Sequence, residues 1–92
     1  MKRFVIERNL PGAGNLTAAE LQEIAVGSCA AIKKMDNYYQ WVETFVTGDK
    51  LYCIHIAESE ADVREHAKLG NFPVNSINEV KAVIDPLTSV KA

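Results

Sequence analysis

Residues 38–57 read YYQWVETFVTGDKLYCIHIA, and the fold follows from how this stretch pairs with itself. Tyr38 to Thr47 is aromatic and β-branched, the composition of a half-buried strand. Gly48-Asp49 is a two-residue hairpin signal, and Lys50 to Ala57 returns as the next strand. A two-residue turn pairs Thr44 with Cys53 and Phe45 with Tyr52. Alternation then divides the side chains between two faces. Val42, Thr44, Val46, Cys53 and Ala57 are expected beneath the helices, on the same side of their strands as Leu51 and His55. Trp41, Phe45, Tyr52 and Ile54 are expected on the opposite face, around Glu43. One extra residue in the pairing would reverse that assignment, because the side-chain period is two.

Outward from the hairpin, Phe4-Val5-Ile6 marks a first strand over about Arg3 to Arg8. Asn9 to Asn15 is turn chemistry. Thr17 opens a helix and has Glu20 three residues on, the spacing of a capping box. Leu21, Ile24, Ala25, Ser28, Cys29 and Ile32 form its expected inward stripe. Ser59 caps a second helix with Asp62 at the third position; Val63, His66 and Ala67 turn inward and Gly70 ends it. Val80 to Ile84 reads as a last strand, closed by Pro86. The order β-α-β-β-α-β, with right-handed crossovers, makes a four-stranded antiparallel sheet with both helices on one face. That is an α+β, ferredoxin-like single domain over residues 1–92, of the dimeric α+β barrel type.

Composition narrows the function classes. A chain of 92 residues has room for one core, and a domain that small gains by burying surface against a second chain. The formal net charge of -2 argues against nucleic acid as a partner, since phosphate binding asks for a basic excess. No apolar run reaches the roughly 20 residues of a membrane span, and no leader pattern follows Met1-Lys2-Arg3. The expectation is a cytoplasmic protein whose Cys29 and Cys53 stay reduced. A sheet face carrying aromatic and branched side chains with no helix to cover it predicts a homodimer through that face.

No CxxC, HExxH or GxSxG motif is present. Gly12-Ala13-Gly14-Asn15-Leu16-Thr17 begins like a dinucleotide fingerprint, but Thr17 replaces the third glycine, so it reads as a glycine-rich turn. Metal-ligating side chains are the better prospect. Cys53 and His55 lie two apart on one strand and point the same way, and imidazole with thiolate suits nickel, zinc or copper. His55 is the best single candidate; His66 is semi-buried, near the end of the second helix. Glu7 and Glu43 are carboxylates within apolar strands, where each must be paired, hydrated or metal-bound. Glu7 has Arg8 and Lys81 as available partners.

Phe4-Val5-Ile6-Glu7-Arg8, Pro11-Gly12-Ala13-Gly14, Trp41-Val42, Phe45-Val46-Thr47-Gly48-Asp49-Lys50, Tyr52-Cys53, Arg64-Glu65-His66-Ala67, Gly70, Phe72-Pro73 and Asp85-Pro86 together resemble a family of small bacterial proteins. That family was long classed as a domain of unknown function and resembles an actinobacterial nickel-responsive, nickel-binding protein. The resemblance implies the ferredoxin-like fold, a dimer and a nickel site, with Glu7, Cys53 and His66 at matching positions. Glu43 stands where many relatives carry histidine and His55 where they often carry tyrosine, a departure that moves the site toward mixed carboxylate ligation. The expected function is metal binding, nickel first, through His55, Glu43, Glu7, His66 and Cys53. A cofactor-free oxygenase or isomerase on the same scaffold is the alternative, with His55, Tyr52 and Glu7 as acid–base groups and a pocket of about 300 Å³ or more as its mark. A non-catalytic sensor or interaction module is the third reading.

Overall fold

The computed structural model describes residues 1–90. Its elements are β1 (Lys2–Asn9), α1 (Ala18–Lys33), β2 (Tyr39–Val46), β3 (Lys50–Ala57), α2 (Glu60–Gly70) and β4 (Ser76–Glu79). The sheet order is β2-β3-β1-β4 with antiparallel neighbours throughout, the ferredoxin-like arrangement that the sequence predicts. Among the described residues no helix is long and apolar enough to cross a membrane.

Local chemistry sets both helix starts. Thr17 Oγ1 accepts from the Glu20 N–H at 3.2 Å and Glu20 Oε1 accepts from the Thr17 N–H at 2.9 Å, a complete capping box. Ser59 Oγ accepts from the Asp62 N–H at 3.3 Å. The glycine-rich segment docks on the hairpin tip: the Gly12 N–H donates to Asp49 Oδ1 at 3.0 Å and the Gly14 N–H to the Gly48 carbonyl at 3.0 Å. Gly12 sits at φ 78°, where a Cβ is disfavoured, and a Cβ on Gly14 would come within 3.1 Å of Gly48 Cα. The segment is a structural turn.

The hairpin register is as its sequence predicts, with Thr44 opposite Cys53 and Phe45 opposite Tyr52. The pairing shifts between Trp41 and Glu43, where Val42 forms a β-bulge. Beyond the bulge the faces exchange. Trp41 lies opposite His55 on the helix-covered face instead of on the open one, and Val42 is left exposed at the edge. Trp41 Nε1 donates to Thr44 Oγ1 at 2.9 Å, so the bulge is closed by two side chains that strict alternation would place on opposite faces.

Two further expectations change. The last strand is Ser76–Glu79, not Val80 to Ile84. Its ladder runs from Asn75 to Val80, whose N–H donates to the Arg3 carbonyl at 2.8 Å. In that register Val83 and Ile84 would pass the start of β1 and find no partner, so both are exposed. Cys29 is exposed, because the inward side of α1 centres on Ile24, Ala25, Ser28, Ala31 and Ile32. α2 ends at Gly70, as the sequence predicts, and Asn71, left-handed at φ 55°, turns the chain out of it.

The core lies between the sheet and the helices. Phe4, Ile6, Tyr39, Leu51, Cys53, Ala57 and Val63 are buried there. On the other side of the sheet Val5, Tyr52, Ile54 and Ile56 are half-buried and Phe45 is 53% exposed, with no element over them. The open apolar face is present without Trp41.

Candidate functional site

The alternation Phe4-Ile6-Arg8 in β1 and Leu51-Cys53-His55-Ala57 in β3 puts Arg8 and His55 on the helix-covered face. Tyr39 from β2 and His66 from α2 meet them there. The hydroxyl of Tyr39 is hydrogen-bonded to His55 Nδ1. His66 Nε2 lies 3.1 Å from Ser28 Oγ of α1. The Tyr39 and His66 rings are stacked with centroids 4.8 Å apart, and the His55 and His66 rings stand edge to face at 5.0 Å. His55 and His66 are each 1% exposed. His66 Nδ1 is buried and has no hydrogen-bond partner among the described residues.

Burial dominates the electrostatics. It pushes His55 down to about 3, with the His66 ring and the Arg8 guanidinium adding to the shift. It pushes His66 down to about 4, against the opposing influence of the Ser28 backbone and with the help of Arg8. Both imidazoles are therefore neutral at pH 7. Burial also raises the Tyr39 phenol well above its ordinary value, so it stays protonated.

Between α1 and the β2–β3 hairpin, next to His55, is a cavity of about 180 Å³. Leu21, Ile24 and Ala25 form its helical wall, and Trp41, Leu51 and Phe72 close it. Arg8, Ser28, Thr44, Cys53 and His55 supply its polar atoms. Phe72 reaches this place by folding back over Gly70: a Cβ on Gly70 would collide with the Phe72 ring. Phe72 stacks on His66 at 5.6 Å, and its ring centre lies 5.4 Å from Arg8 Cζ. Gly70→Ala is accordingly expected to destabilise the fold by about 1–3 kcal/mol through overpacking, read as a lower urea midpoint. An unchanged midpoint would show that Phe72 is not held against the helix end.

The five residues singled out in the sequence fall on two sides of the sheet. His55, His66 and Cys53 lie beneath the helices. Glu7 and Glu43 lie on the open face. Glu7 accepts from Lys50 Nζ at 2.7 Å rather than from Arg8 or Lys81; Lys81 pairs with Glu79 instead, at 3.2 Å. Of the acid–base trio His55, Tyr52 and Glu7, only His55 reaches the cavity, whose volume is below the 300 Å³ that the enzymatic reading asks for. Arg8, Ser28, Tyr39, Trp41 and Phe72 were not legible as site residues, although a charge in phase with Phe4 and Ile6 is a signal in β1.

A metal ion is tested by donors. His55 and His66 have the donor chemistry of a nickel site. The hydroxyls of Tyr39 and Ser28 can turn to donate or accept, so each ring can present a lone pair at its remaining nitrogen. The donors fit in kind and fall short in number: among the described residues no three His, Cys, Asp or Glu side chains are grouped to hold an ion.

The family model for nickel responsive proteins like SCO4226 matches residues 4–80. The crystal structure of SCO4226 from Streptomyces coelicolor A3(2) superposes with a TM-score of 0.72 at 20% identity, covering 89% of this chain and 99% of that one. At that identity the likeness shows the fold. No curated protein sequence matches the chain.

Proposed function

The chain belongs to the SCO4226-like family of nickel responsive proteins, and from that premise we propose that it is a metal-binding protein acting as a cytoplasmic homodimer, with nickel as its leading ion. The observation that carries this reading is the buried, unpartnered Nδ1 of His66 beside a second neutral imidazole. A buried nitrogen without a partner is costly, and a metal ion would satisfy it. His66 and His55 are the proposed nitrogen donors; Cys53, on the same face, is not grouped with them. Reversible coordination is the only chemistry the ion would supply. The Arg8 guanidinium on the same cavity opposes a bare dication, so an anionic co-ligand or water is expected to complete the shell. The open face is the proposed dimer seam. Glu43 and Glu7 would stand there, where carboxylates of two copies can take up a cation held between chains.

Equilibrium dialysis of the metal-free protein against nickel, copper and zinc at pH 7 tests the reading. Binding tighter than millimolar is expected, with copper at least as tight as nickel by the general affinity order. His66→Gln is expected to weaken nickel binding by at least about 10-fold, the smallest cost usual for damage to a metal shell. Millimolar or weaker binding of all three ions would reject the proposal.

A further inference from the structure

Among the described residues Arg8 is the one buried cation, and no counter-charge there answers it. It is 2% exposed. A guanidinium carries five N–H donors; Nη1 donates to the Pro73 carbonyl at 2.8 Å. The Phe72 ring beside it offers only its π face. Among the described residues no carboxylate lies within ion-pair distance of Arg8. Glu7, its neighbour in sequence, points to the other side of the sheet and pairs with Lys50. The buried Asp62 accepts from Asn37 Nδ2 at 2.9 Å. A buried charge without a counter-charge is expensive, and this one is on the wall of a cavity rather than in packed protein.

The rest of that cavity has a definite character. Ile24 and Ala25 of α1 and Trp41 of β2 share its wall, an apolar slot. His55 and Ser28 add polar atoms to its lining. A cation on the wall of an apolar slot complements a molecule with an anionic head and a hydrocarbon body. A carboxylate matches the planar fork of a guanidinium with two parallel charge-assisted hydrogen bonds. Size limits the body: a dry cavity of about 150 Å³ holds benzene, and this one is about 180 Å³.

We propose that the cavity between α1 and the β2–β3 hairpin is a binding site for a small apolar carboxylate, with one ring or a short branched chain, anchored by Arg8 and packed against Trp41. The site goes beyond metal binding and does not depend on it.

Trp41 is the single tryptophan of the chain, so its fluorescence reports occupancy. The metal-free protein, kept in EDTA, is titrated with benzoate; benzyl alcohol keeps the ring without the charge, and acetate keeps the charge without the ring. Saturable change with benzoate is expected, with both controls at least about 30-fold weaker. Arg8→Met is expected to lose at least about 30-fold in benzoate affinity, the range for removing one partner of a buried charge pair. Ala25→Leu, which fills the slot and leaves Arg8 in place, is expected to lose binding as well. No saturable response to benzoate, equal binding of benzyl alcohol, or unchanged benzoate binding by a folded Arg8→Met protein would overturn the proposal. If Arg8→Met shows no cooperative melt, Ala25→Leu decides, and retained binding there overturns it. Because EDTA is present throughout, failure of nickel binding leaves this result unaffected.

Discussion

Lowering the pH from 7 to 5 is expected to remove about 4 kcal/mol of folding stability from the metal-free protein. The cause is the pair of buried imidazoles. In the folded state His55 is depressed to about 3 and His66 to about 4, whereas in the unfolded chain each titrates near the ordinary value of about 6.5. Between those limits the unfolded state binds protons that the folded state does not, so stability rises with pH. The contribution is fully present above about pH 6.5 and is lost as pH falls toward the folded values. Each histidine gives a slope of about 1.4 kcal/mol per pH unit in that window. Native domains have only about 5–15 kcal/mol in total, so at pH 5 the fold stands near its threshold. Urea unfolding at pH 7, 6 and 5, where carboxylates remain ionised, reads the slope directly. His66→Gln should halve it whatever its own cost at pH 7. Stability that is flat from pH 7 to pH 5 would show that the histidines are not buried as neutral rings.

Ile54→Asp is expected to convert the proposed homodimer into a folded monomer. Ile54 lies on β3, paired with Val5 and Glu43 across the strands, with Phe45 and Tyr52 one pair away on the same open face. It is only half-buried in the single chain, so a carboxylate there remains hydrated and the protomer should keep its fold. At a twofold seam the same change places one such charge on each copy. An uncompensated buried charge typically costs about 3–5 kcal/mol, which corresponds to a dissociation constant raised at least about 100-fold. Sedimentation velocity with circular dichroism separates the effects: halved mass with an unchanged spectrum is expected, and an unchanged mass would place the dimer contact elsewhere.

How much of this was legible in the sequence differs by element. The hairpin register was, because a two-residue turn leaves one pairing consistent with the apolar pattern. The bulge at Val42 was not, since an inserted residue leaves regular alternation on both of its sides and is selected by where Trp41 is needed. The mistaken β4 has a plain cause: Val80 to Ile84 has strand propensity, but β-structure needs a partner, and in this register β1 runs out opposite Lys81. Cys29 sits one position off the buried stripe, beside the buried Ser28. The functional residues were legible as types and not as a set. His55 and His66 belong to separate elements, and only the crossover from β3 into α2 brings their rings together. The sequence offers Glu7 as a partner for Arg8, but in a strand neighbours point to opposite faces and cannot pair that way.

Crystals grown with nickel and measured at the nickel absorption edge show directly whether the ion is taken up at the buried imidazoles. The expected result is an anomalous peak at bonding distance from His66 Nδ1, with His55 as a further ligand. A map with no peak beneath the helices, or with nickel only at the open face near Glu7 and Glu43, would contradict it.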